Sequence, residues 1–154
     1  MKLKKVFAAV LFALAFGGAP AGAFTLDLQG GVVNYVSEIS KFNLNVYGHW
    51  WYPIDQMLFV GVGTGYQEID NVRLFPVSGS LWVRLPFGRT VLPVATGDFG
   101  YLIGSDHQMF WRAGGGLDIK NGDLSSIMVM GGYEFLDHYG KGYAYIQAGI
   151  LIEI

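Results

Sequence analysis

Gln147-Ala148-Gly149-Ile150-Leu151-Ile152-Glu153-Ile154 closes the chain in strict alternation. Ala148, Ile150, Ile152 and Ile154 fall on one face, and Gln147, Gly149 and Glu153 on the other. Successive side chains of an extended strand point to opposite sides, so a period of two marks a strand between two unlike environments. A free end usually frays and is polar. An apolar, alternating end is therefore expected to be paired as far as Ile154. Followed back to Gly142, the pattern adds Ala144 and Ile146 to the apolar face and Tyr145 to the other.

The same alternation recurs through the chain. Strands are expected at 25–35, 41–52, 57–67, 72–85, 90–102, 109–119, 124–135 and 142–154, separated by turn signals such as Pro53-Ile54-Asp55-Gln56 and Pro86-Phe87-Gly88-Arg89. Asn121-Gly122 is the expected tight hairpin turn. No stretch has a helical period. Loops between the strands are short, at about four to six residues on the outer side, below the usual range for functional loops.

Which face carries the charge decides the environment. Phe42, Leu44, Val46, Trp50 and Tyr52 oppose Asn43, Asn45, Tyr47 and His49; Trp111, Ala113, Leu117 and Ile119 oppose Arg112, Gly114, Gly116 and Asp118. The faces with large apolar residues are nearly free of charge, and the opposite faces are small, polar or charged. Twenty of the 23 glycines lie beyond Ala23, which suits a narrow interior where large side chains from every strand would collide. The expected fold is all-β: a closed eight-stranded antiparallel up-and-down transmembrane β-barrel, its apolar face on lipid and its polar face inside.

The last eight residues resemble the C-terminal assembly signal of outer-membrane β-barrels, with Gln147, Gly149, Ile152 and Ile154 at its polar, glycine and apolar positions and isoleucine where an aromatic residue is usual. With Gly61-Val62-Gly63-Thr64-Gly65-Tyr66, the chain resembles the small eight-stranded outer-membrane barrel proteins of Gram-negative bacteria. The resemblance implies location in the cell outer membrane, contact with lipid and lipopolysaccharide, delivery by the barrel-assembly machinery, a monomer, and no particular activity.

Residues 1–23 have the pattern of a signal peptide: Lys2, Lys4 and Lys5, an apolar run at 6–16, then Ala21-Gly22-Ala23. The barrel domain is expected at 24–154. Seven basic and twelve acidic residues remain there, a net charge of −5, which disfavours nucleic acid as a partner. Without cysteine there is no disulfide, lipidated anchor or thiolate metal site. No cofactor or metal is expected.

Four sets of residues are candidates for a role. Asp98, Arg112 and Glu134 point inward at similar height on adjacent strands and are expected to form a salt-bridge cluster in the outer half of the lumen. Asp27, Arg84, Asp118 and Glu153 are expected inside near the periplasmic end. Phe24, Trp50 and Tyr52 form the expected periplasmic aromatic girdle, and Phe42, Tyr66, Tyr101, Trp111, Tyr133 and Phe135 the outer one. The fourth set is the C-terminal signal. The charges favour a structural membrane role or a narrow conduit.

Catalysis has little support. His107 with Ser105 and Asp106, or His138 with Asp137, lie together in outer loops, but adjacent loop residues rarely place a base on a nucleophile. The histidines, His49 included, are read as solvated polar residues. Asp70, Asp106 and Asp137 could meet divalent cations with lipopolysaccharide. Tyr47-Gly48-His49-Trp50-Trp51-Tyr52 contains the Gly-x-Trp of lipocalins. The alternatives are thus a soluble lipocalin-like binder of apolar ligands in the periplasm and a lipid-modifying outer-membrane enzyme.

Overall fold

The computed structural model describes residues 24–36, 43–104, 107–137 and 141–154. They form eight strands: β1 (Thr25–Tyr35), β2 (Asn43–Pro53), β3 (Leu58–Ile69), β4 (Val72–Arg84), β5 (Val91–Gly104), β6 (Gln108–Lys120), β7 (Ser125–Leu136) and β8 (Lys141–Glu153). Each pairs antiparallel with its sequence neighbours, and β8 returns to β1 to close the barrel. The C-terminal stretch is the closing strand, with Gly149 opposite Gln29 and Ile152 opposite Leu26. Ile154 exchanges backbone hydrogen bonds with Phe24, at 2.8 and 3.2 Å.

The stagger follows from the ladder. Starting at Thr25 and stepping across the pairs, one passes Trp51, Gly61, Ser80, Asp98, Arg112, Glu134 and Tyr143 and arrives at Tyr35, ten residues farther along β1. Eight strands with that shear tilt by about 40° to the barrel axis and leave an interior that side chains can fill.

The parity predicted from sequence fixes which face is inside. Leu28, Leu44, Trp50 and Ile146 are 55%, 61%, 52% and 66% exposed, while Asp118 and Glu134 are fully buried. A water-soluble barrel has the opposite arrangement, so the lipocalin-like alternative does not describe this chain.

The tight turn falls elsewhere than expected. Asp70 (φ 51°) and Asn71 (φ 68°) make a two-residue turn between β3 and β4, in the left-handed region those residue types tolerate. Asn121-Gly122 instead lies in a four-residue connection, because Lys120 pairs with Ser126. A two-residue turn there would set outward Leu117 opposite inward Ser126. The one-residue mismatch in face forbids it.

Inward glycines make room for neighbours. A Cβ on Gly132 would stand 2.6 Å from the Gly114 Cα and 2.7 Å from the Tyr145 hydroxyl, whereas one on outward Gly30 would meet nothing within 4 Å. Gly132→Ala is expected to destabilise the barrel by about 1–3 kcal/mol, as core overpacking does, and Gly30→Ala to stay within about 0.5 kcal/mol of the parent. Urea titration of the protein folded in vesicles measures both.

Candidate functional site

The interior is layered, and β4 shows the order. From its outer end, Leu74, Ser78, Ser80, Trp82 and Arg84 point into the lumen. Leu74 belongs to an outer apolar layer with Val33, Leu102, Phe110 and Leu136. Trp82 belongs to a second apolar layer with Trp51, Phe59, Val94 and Met128. Ser78 and Ser80 lie between the two layers, and Arg84 lies beyond the second.

Arg112 organises the enclosed layer. Its guanidinium lies between the rings of Tyr47 and Tyr145, 4.2 and 3.9 Å from their centroids. Its Nε faces the Asp98 carboxylate at 3.5 Å, and its Nη2 donates to Gln147, whose amide donates to Asn45 at 3.0 Å. Glu134 is opposite Arg112 in the ladder, yet its Oε1 accepts from Gln67 at 2.7 Å and its buried Oε2 has no hydrogen-bond partner. Gln67 in turn accepts from the Tyr47 hydroxyl at 2.9 Å. Of the three expected cluster members, Asp98 and Arg112 form the ion pair, and Glu134 is held by an amide. The guanidinium lies over both tyrosine rings and donates to Gln147.

Asp27 belongs to this layer and not to the periplasmic set. It faces His49 across the β1–β2 ladder. Its Oδ1 meets His49 Nδ1 at 2.9 Å, and its Oδ2 accepts from Trp51 Nε1 at 2.6 Å. The other His49 nitrogen points at Asp98 Oδ1, 3.4 Å away. His49 is therefore no solvated residue: it is 5% exposed and bridges two carboxylates. It shares the inward parity of Asn45 and Tyr47, and that parity was the available signal. The remaining three charges do meet, at the barrel end that holds the start of β1 and the end of β8: Arg84 Nη2 lies 2.9 Å from Asp118 and 3.0 Å from Glu153. The Arg84 guanidinium also covers the Phe59 and Trp82 rings, at 5.1 and 4.6 Å.

Among the described residues no nucleophile is hydrogen-bonded to His49. Ser78 is hydrogen-bonded to Ser80, and Ser80 donates to Asp98. Both His49 nitrogens face carboxylates, and a catalytic base needs one on the attacking group. Ser105, Asp106 and His138 lie outside the described residues. His107 stacks on Tyr101 at 6.2 Å. Among the described residues no group of three or more histidines and acids could hold a metal.

Members of each expected girdle pack against one another. Phe24 packs on Trp50 and Tyr52 at 5.4 and 6.2 Å, and Trp111 on Tyr133 and Phe135 at 6.0 and 5.8 Å. Tyr66 packs on Phe75, a neighbour absent from the sequence-based set, at 5.6 Å. Phe42 lies outside the described residues.

The same architecture occurs in solved structures. Neisserial surface protein A superposes with a TM-score of 0.72 at 12% identity, over 86% of this chain and 99% of that one. This chain has the fold of the eight-stranded outer-membrane barrels. The N-terminal β-barrel domain of Pseudomonas aeruginosa OprF matches with a TM-score of 0.58 at 12% identity, covering 83% of this chain and 97% of that one. The outer membrane enzyme PagL matches with a TM-score of 0.56 at 14% identity, covering 84% and 99%. At such identities the likeness concerns the fold alone, and a fold that includes an enzyme does not decide activity. No protein-family model and no curated protein matches the chain.

Proposed function

We propose that this chain is a monomeric integral protein of the outer membrane with a structural role and a lumen that conducts nothing. The observation that carries this reading is the enclosure of the polar layer. Leu74, Leu102, Phe110 and Leu136 lie on its outer side, and Trp51, Phe59 and Trp82 on its periplasmic side. Ions do not cross such layers without the several kcal/mol needed to strip their water, so the narrow-conduit reading has little support. Residues 1–23 act as the export signal, and the C-terminal strand is the segment handed to the assembly machinery. Phospholipid and lipopolysaccharide meet the outward face and its aromatic rims.

The purified barrel in planar bilayers tests this. The expected record is a flat baseline under applied voltage in concentrated salt. Reproducible steps of current from the folded protein, absent from a heat-unfolded sample, would refute the sealed lumen.

A further inference from the structure

His49 has the surroundings of a cation. Both lumen arginines lie on aromatic rings, Arg112 on Tyr47 and Tyr145 and Arg84 on Phe59 and Trp82. The His49 ring is set the same way: it stacks on Trp51 at 5.0 Å and on Tyr47 at 6.0 Å. A ring face attracts a cation within about 6 Å of its centroid, and more strongly where water is excluded.

The nitrogens point to the same conclusion. Nδ1 lies 2.9 Å from Asp27 Oδ1, and Nε2 lies 3.4 Å from Asp98 Oδ1. Nε2 is buried and makes no hydrogen bond, so the Asp98 carboxylate is the group it faces. A neutral imidazole carries one N–H. Whichever nitrogen held it, the other would turn a lone pair on a carboxylate oxygen, a repulsion that an enclosed site screens poorly. An imidazolium presents an N–H to both. The two acids behave as acceptors throughout: Asp27 accepts from Trp51, Asp98 accepts from Ser80, and the other Asp98 oxygen faces Arg112.

The charge count of the layer agrees. Asp27, Asp98 and Glu134 are buried with Arg112. With His49 neutral, three carboxylates share one guanidinium. With His49 charged, they share two cations, and an enclosed charge without a partner is costly. Arg112 cannot give up its charge, whereas a histidine can.

We infer that His49 is an imidazolium at neutral pH, and that its proton locks the polar layer by tying Asp27 of β1 to Asp98 of β5 across the lumen. The inference rests on the sealed-lumen reading, because carboxylates in a wet lumen are solvated and need no second cation.

The ring itself can be read by nuclear magnetic resonance. The full chain, with His107→Gln and His138→Gln so that His49 is its only histidine, is labelled with ¹⁵N in histidine and tryptophan and folded in lipid nanodiscs at neutral pH. Both His49 nitrogens are expected to show a directly bonded proton. One bare nitrogen would overturn the inference. The Trp51 indole proton, which is given to Asp27 at 2.6 Å, reads the seal separately and is expected to exchange slowly with water. A bare His49 nitrogen beside a slow Trp51 proton would sink the inference and leave the seal standing. Fast Trp51 exchange would sink the seal, and with it the lock. His49→Gln, which removes the charge, should speed Trp51 exchange about tenfold or more, as a local loss of protection does. Unchanged exchange would overturn the lock. If that variant does not fold, the ring spectrum of the parent still decides.

Discussion

Arg112→Met is expected to cost the folded barrel about 3–5 kcal/mol, the penalty for removing one partner of a buried ion pair and leaving the other charge enclosed. The magnitude does not mean that the pair itself contributes so much, because taking both charges out of water offsets most of their attraction. It arises because Asp98 and Glu134 are 4% and 0% exposed, so the carboxylates lose their cation while staying enclosed. Arg112→Lys should fall well short of restoring stability. An ammonium cannot lie flat between Tyr47 and Tyr145 while also reaching Asp98 and Gln147. Adding Asp98→Asn to Arg112→Met should recover part of the loss, since the two residues act as a pair. Urea titrations in vesicles give all three values. A single variant within about 0.5 kcal/mol of the parent would mean that the layer is hydrated and the seal is wrong.

A charge placed on the outward face should be costly according to depth. Ile146 is mid-way along β8, between Val32 and Gly131, and is 66% exposed. Ile146→Arg should destabilise the protein in vesicles by about 2–4 kcal/mol, the cost of arginine at the bilayer midplane. Ile103→Arg, one residue from the outer end of β5, should cost about 0–1 kcal/mol, as near the interfaces. Such exposed positions on a water-soluble barrel would tolerate either change within about 0.5 kcal/mol. The difference between the two variants, from the same vesicle titration, thus separates lipid from water as the solvent of that face.

Much of this was legible in the residues because the strand period is two and each face has one environment. The parities of Trp50 against His49, or Ile146 against Gln147, carry over directly to exposed and buried sides. Pairing of charges was less legible. Sequence places Arg112 beside both Asp98 and Glu134, but it does not say that the guanidinium will lie over two tyrosine rings and donate to Gln147. His49 was misread for a related reason: its partners come from β1 and β5, and only the ladder shows that Asp27 faces it. The apolar layers were missed because inward positions near the outer strand ends, such as Val33 and Leu136, break the rule that inward means small or polar. The tight turn at Asp70-Asn71 lacked the glycine that makes such turns conspicuous.

The inside-out arrangement is the claim on which everything else depends, and the chain carries its own probes. Trp50 and Trp111 are 52% and 44% exposed, while Trp51 and Trp82 are fully buried. Single-tryptophan variants folded in bilayers of brominated phospholipid read each position separately. Strong quenching of Trp50 and Trp111 with little of Trp51 and Trp82 is the expected result. Quenching of Trp51 equal to or greater than that of its neighbour Trp50 would contradict the account.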